Sequence, residues 1–327
     1  MIFITGATGL VGSFLLKKLL LEGHQIKALK RKNSDLSLVS EVYEQVEWID
    51  GDLLDAVLLD EALQGVETVF HCAALVNFDS RFKTLLEDIN VTGTENIVNA
   101  ALSNQVKSFI HISSVAAIGR SKSNERITED KKWEASNHNS EYAVSKYKAE
   151  LQVWRGQEEG LNVIVVNPSV ILGPADWNKT STRIFKLAYR QNRFYSGGTM
   201  NYIDIRDLVE SIYGLFENKK YGERYILSAG TTSYRDLMTR IAINFNRKPP
   251  MIRAGYILLW VLVGLDKVRS WVSGRKPEIT SEVLRLSRAN FVYDNSKIRE
   301  ELGIVFRNLE DTLSWSCNEL MKAPEQV

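Results

Sequence analysis

Tyr142 and Lys146 stand four residues apart in a stretch, residues 141–158, whose apolar positions recur at three- and four-residue spacing. That spacing predicts a helix with both side chains on one face, a turn apart. A phenol titrates near pH 10 in water, about three units too high for easy proton exchange at neutrality. A neighbouring ammonium favours the phenolate and would lower that value; a phenol so tuned can give a proton to a carbonyl or take one from an alcohol. The pair alone is weak evidence: twelve tyrosines and twenty-one lysines in 327 residues give about 0.8 such pairs by chance, and two occur. In the second, Tyr293 ends an apolar, strand-like run and Asp294 or Asn295 reads as a helix cap, so Tyr293 and Lys297 would not share a face. The first pair has company. Ser114, in His111-Ile112-Ser113-Ser114-Val115, closes a predicted strand at the edge where open parallel sheets bind ligands. Its hydroxyl can bond the oxygen that Tyr142 would protonate.

A second pattern prepares an anion site. Thr5-Gly6-Ala7-Thr8-Gly9-Leu10-Val11-Gly12 follows the first predicted strand and opens the first helix. Gly6 would permit the tight turn, Gly9 the approach of a pyrophosphate, and Gly12 close packing of helix on strand. The free N–H groups at the helix start favour the anion. At the end of the second strand stand Lys30 and Arg31, with no carboxylate before Asp35. An acidic side chain there would suit the ribose 2′-hydroxyl of NAD; a guanidinium fork suits the 2′-phosphate of NADP. NADP(H) is therefore the expected cofactor and NAD(H) the alternative.

These residues need a scaffold that brings strand ends together. Strand-like runs at 2–4, 26–29, 46–49, 68–71, 108–112 and 162–166 alternate with helical patterns at 10–22, 55–64, 82–102 and 141–158. The runs read as apolar on both faces. That alternation predicts an α/β fold, a Rossmann-type doubly wound parallel sheet with a smaller C-terminal substrate-capping lobe. The expected division is 1–170 for the dinucleotide-binding domain and 171–327 for the capping lobe. Strands at 200–203 and 224–227 and helices at 204–217, 233–246 and 309–321 belong to the lobe, with some elements returning to the sheet.

Composition excludes several function classes. Forty-one basic against 40 acidic residues give a net charge of +1, with no footprint for nucleic acid. Two cysteines, Cys72 and Cys317, and four scattered histidines offer no metal-ligand spacing. The N-terminus runs straight into a strand without signal-peptide character, so a cytoplasmic location is expected. The apolar stretch 255–265 falls short of the roughly 20 residues that a bilayer span needs. It reads as a buried helix or pocket wall, with contact to lipid or a partner as the alternative.

Taken in order, Gly6-x-x-Gly9-x-x-Gly12, Gly51-Asp52-Leu53, His71-Cys72-Ala73-Ala74, Asn90-Val91-Thr92-Gly93-Thr94, Ser113-Ser114 and Tyr142-x-x-x-Lys146 resemble the extended short-chain dehydrogenase/reductase family across about residues 1–175. The resemblance implies that Asp52 and Leu53 flank the adenine and that Ala73 and Ala74 line the path to the nicotinamide. It also implies that Asn90 steadies the active-site helix and its proton relay, and that Pro168, Ser169 and Val170 pass beside the nicotinamide ribose. Ser114, Tyr142 and Lys146 would be the catalytic set, with Lys146 also touching that ribose. Sugar-nucleotide epimerases of the family carry asparagine at the position of Val170; this departure and the Lys30-Arg31 ending are similar to its dihydroflavonol 4-reductase-like reductases. The function implied is reduction of a small, hydrophobic carbonyl substrate, with Tyr142 as proton donor and a homodimer as the candidate assembly. A nucleotide-sugar epimerase or dehydratase with resident NAD, and a non-catalytic dinucleotide sensor, are the alternatives.

Overall fold

The computed structural model describes residues 1–119, 126–136, 139–177, 181–255 and 290–322. All but the first residue of the apolar stretch 255–265 lies outside them. The chain begins β1 (Ile2–Thr5), α1 (Leu10–Leu21), β2 (Ile26–Lys30), β3 (Glu47–Asp50), α2 (Ala56–Ala62), β4 (Thr68–His71), α3 (Lys83–Leu86), α4 (Gly93–Ser103), β5 (Ser108–Ile112), α5 (Glu141–Glu158) and β6 (Asn162–Pro168). There follow β7 (Val170–Leu172), α6 (Thr182–Tyr189), β8 (Phe194–Tyr195), β9 (Thr199–Asp204), α7 (Ile205–Glu217), β10 (Glu223–Leu227), β11 (Gly230–Ser233), α8 (Tyr234–Asn244), β12 (Ile252–Arg253), α9 (Ser296–Leu302) and α10 (Leu309–Lys322).

Seven strands form one parallel sheet in the order β10-β6-β5-β4-β1-β2-β3. The chain winds one way from β1 to β3 and the other way from β4 to β6, so the direction switches between β1 and β4. A crevice opens at the carboxyl ends of strands beside such a switch. Strands β1, β4 and β5 are buried along their whole length because helices cover both faces. At the end of the sheet, β3 departs from the expected two-faced burial: Glu47 and Asp50 face solvent. On one side α1 and α7 bury Leu15, Leu16, Leu19, Leu208 and Ile212; on the other α2, α4 and α5 bury Leu59, Ile97, Val98 and Val153. Each such side chain contributes about 1.5–3 kcal/mol. A separate cluster, including Phe185, Leu237, Ile241 and Leu313, lies under the C-terminal elements. The edge strand β10 also comes from beyond residue 170, joining β6 in the main sheet.

Periodicity suggested one helix over 82–102. Instead α3 and α4 are separated by a π-helical turn, Glu87–Thr92. Such turns interrupt the regular ladder and frequently accompany functional side chains. Here the turn carries Asn90, whose Oδ1 accepts from Leu75 N (2.7 Å) and whose Nδ2 donates to Leu75 O (3.0 Å). The short elements β7, β8, β11, β12 and α6 had no sequence signal strong enough to be anticipated. Tyr293 and Lys297 fall apart as expected: Tyr293 bridges Ile127 ahead of α9, whereas Lys297 Nζ donates to Glu223 Oε2 and the Arg224 carbonyl.

The β1–α1 turn is held at backbone distance from the segment after β4. Gly6 adopts φ +67°, and a Cβ there would lie 2.7 Å from Ala73 N. A Cβ on Gly12 would run into the Gly6 carbonyl oxygen. Gly12→Ala should therefore destabilise the fold by about 1–3 kcal/mol, seen as a lower urea midpoint with an unchanged m-value. Gly9→Ala, whose Cβ would meet only the Gly6 oxygen at 3.3 Å, should lose much less.

Candidate active site

Ser140 caps α5 by accepting from Ala143 N (2.9 Å), and this start sets the helix phase that turns Tyr142 and Lys146 inward. Both are buried, Lys146 with only 1% of its surface exposed. The Tyr142 phenol faces the Ser114 hydroxyl, just past β5, and the Phe78 and Tyr142 rings meet edge to face with centroids 5.4 Å apart. Ser114 Oγ also accepts from Ala116 N at 3.2 Å. Lys146 Nζ donates to the Ile112 carbonyl (3.0 Å) and lies 3.5 Å from His111 Nε2.

The electrostatics correct one expectation. Burial pushes the Tyr142 phenol above its ordinary value of 10.0, and the facing Ser114 hydroxyl only partly opposes this. Lys146 does not lower it: its ammonium is turned to the strand end, and its own pKa falls to about 8 because burial outweighs the attraction of Glu150. The protein alone keeps Tyr142 firmly protonated. Spacing put the two residues on one face; it could not show how much water each would lose.

Two histidines stack below the lysine, ring centroids 5.2 Å apart. Burial, helped by the Lys146 charge, brings His71 down to about 3 and His111 well below its usual range, so both are neutral at pH 7. His71 bonds Thr5 Oγ1 (2.7 Å) and Thr94 Oγ1 (2.9 Å), and Thr5 Oγ1 accepts from Ala73 N (3.2 Å). Thr94 donates to the Asn90 carbonyl (2.6 Å). Asn90 Nδ2 donates to Ser145 Oγ (2.9 Å), which ties the π-turn to α5. Thr5, His71 and Thr94 stand in the sequence motifs without a role of their own, and Ser145 was not singled out, because each looks like an ordinary strand or helix residue.

The remaining expected residues lie along the same rim. Gly6, Thr8, Gly9, Leu10, Val11 and Gly12 surround the carboxyl end of β1, Ala73 and Ala74 follow β4, and Pro168, Ser169 and Val170 span the junction of β6 and β7. Lys30 and Arg31 sit at the end of β2, with Asp52 and Leu53 just past β3. No side chain caps α1, and its first intrahelical bond is donated by Ser13 to Gly9 O (2.9 Å). The N–H groups of Leu10, Val11 and Gly12 therefore have no partner within the helix. Ser169 Oγ is buried without a hydrogen-bond partner. A donor-rich turn whose glycines leave no room for Cβ atoms, and an orphaned hydroxyl past β6 on the same carboxyl edge of the sheet, fit a dinucleotide. Lys30 is already committed: its ammonium pairs with Asp50, which raises its pKa. Arg31 is exposed, its backbone N–H donating to Ser34 Oγ (3.0 Å). Asp52 Oδ1 accepts from Leu54 N (3.0 Å), and Leu53 O accepts from Asn96 Nδ2 (3.0 Å). Among the described residues no helix is long and apolar enough to cross a membrane.

A family model described as the NAD dependent epimerase/dehydratase family matches residues 2–228. A Synechocystis sp. protein provisionally named dihydroflavonol 4-reductase is 30% identical over 97% of this chain and 94% of its own length. Cinnamoyl-CoA reductase 1 of Petunia hybrida is 27% identical over 75% of this chain and 78% of its own. The solved structure of gox2253 superposes with a TM-score of 0.83 at 30% identity, covering 98% of each chain. The chain thus belongs to the NAD dependent epimerase/dehydratase family, enzymes of the extended short-chain dehydrogenase/reductase type.

Proposed function

We propose that the chain is an NADP(H)-dependent reductase of a small, apolar ketone or aldehyde. One observation carries this reading: the Tyr142 phenol and the Ser114 hydroxyl face each other beside a glycine turn that suits a dinucleotide. The chemistry that bound nicotinamide supplies is hydride donation to the carbonyl carbon. Two hydroxyls that reach each other can both reach one carbonyl oxygen. Ser114 then holds the developing oxyanion, and Tyr142, kept protonated by burial, gives it a proton. Lys146, an ammonium below about pH 8, contributes positive charge one helical turn away. Residues 1–170 hold the cofactor and 171–327 shape the substrate side, with β10 returned to the main sheet. Val170, 37% exposed, presents no polar group where sugar-nucleotide enzymes of the family carry asparagine. The reductase names of the relatives support the same choice.

With Lys30 engaged by Asp50, Arg31 is the residue left to grip a 2′-phosphate. Arg31→Ala should raise the Kd for NADPH about tenfold or more and leave that for NADH within about twofold, measured by fluorescence titration. Equal losses for both cofactors would remove the 2′-phosphate assignment. Tyr142→Phe should lower kcat about 10²–10⁴-fold on a ketone and aldehyde panel, with NADPH still raising Tm as in the parent. Unchanged turnover would remove Tyr142 from the chemistry. Because the Lys146 pKa is depressed, its charge is present below about 8 and lost above it. A pH series of kcat/KM should accordingly fall on the alkaline side with a midpoint near that value.

A further inference from the structure

Helix α5 carries a third polar side chain on the face of Tyr142 and Lys146. Glu150, four residues after Lys146, is completely buried. Its Oε1 accepts from Ser113 Oγ and Asn167 Nδ2, and Asn167 Nδ2 also donates to the Ser114 carbonyl at 3.0 Å. Arg224, on β10, brings a guanidinium nitrogen to 3.1 Å from Glu150 Oε2, an ion pair off the line of a hydrogen bond. The same guanidinium lies over the Trp154 ring at 5.8 Å. A carboxylate withdrawn from water costs several kcal/mol before pairing, so packing alone would favour an apolar residue here.

We propose that Glu150, with the half-buried Arg224 as its counter-ion, is a positioning residue that locks the Ser113–Ser114 strand end onto α5 and keeps Lys146 in its ammonium form. The groups facing Lys146 single it out. From the end of β4 come His71 and Cys72, from β5 come His111 and the Ile112 carbonyl, and from α5 itself comes Glu150, with Tyr142 one turn back on the same helical face. Burial holds both histidines neutral and pushes the Cys72 thiol up to about 12. Tyr142 is protonated as well, which leaves Glu150 as the anion offsetting the desolvation of Lys146 among the described residues. The link to turnover rests on the reductase reading; the link to Lys146 does not.

Glu150→Gln keeps the side-chain shape and removes the charge. In protein labelled with ¹³C at lysine Cε, with the Lys146 resonance assigned by its loss in Lys146→Met, the Lys146 titration midpoint should fall by about one pH unit in Glu150→Gln. The alkaline limb of kcat/KM should move the same way, while the Kd for NADPH at pH 6 stays within about twofold of the parent. Since the single variant leaves Arg224 unpaired, Glu150→Gln/Arg224→Gln removes both charges and serves if the single variant does not fold. Folded variants whose Lys146 midpoint and alkaline limb keep their parental values would overturn the proposal and leave Glu150 a packing element. A Lys146 shift in a protein that reduces no carbonyl would remove the reductase reading and leave the Glu150–Lys146 coupling standing.

Discussion

An ammonium placed under the carboxyl ends of β4 and β5, out of reach of water, loses hydration worth several kcal/mol. Much of the polar architecture around Lys146 answers that loss. The Ile112 carbonyl accepts from it directly, His111 faces it in neutral form, and Glu150 returns negative charge from one turn along the helix. These partners come from elements whose own seating depends on others: the π-turn reaches α5 through Asn90 and Ser145, and β6 reaches Ser114 through Asn167. Misplacing one would leave a buried charge or a buried donor without a partner, the kind of defect that folded proteins tolerate least.

How far the sequence disclosed this depends on the range of the interaction. The glycine turn, the strand ends and the Tyr142–Lys146 face follow from local rules, namely backbone freedom, alternation and 3.6-residue periodicity. Glu150 obeys the same periodicity as Lys146, so its face was legible, but nothing local distinguishes a buried glutamate from a solvated one. Arg224 and Thr5 reach their partners across 74 and 66 positions of the chain respectively, through strand order alone. Lys30 looked like part of a cationic cradle until the pairing of β2 with β3 brought Asp50 beside it.

The π-turn shows the limit from another side. Residues 82–102 have unbroken helical periodicity, and the distortion arises because Asn90 satisfies both backbone groups of Leu75, in the loop past β4. A side chain that stands in for a backbone partner leaves no compositional mark. The acidity of Tyr142 illustrates the same point energetically: the spacing put a cation on its helical face, yet that ammonium turns to the Ile112 carbonyl, and desolvation raises the phenol against the smaller effect of Ser114.

The sheet edge has one more implication, for the order in which the molecule is made. Residues 1–170 supply six of the seven main strands, but the guanidinium that neutralises Glu150 arrives on β10. During synthesis the carboxylate has Ser113, Asn167 and Lys146 at hand within residues 1–170, but its guanidinium partner comes more than fifty residues later. The Glu150–Arg224 pair therefore links the two parts of the chain, and it forms only once the polypeptide has grown through β10.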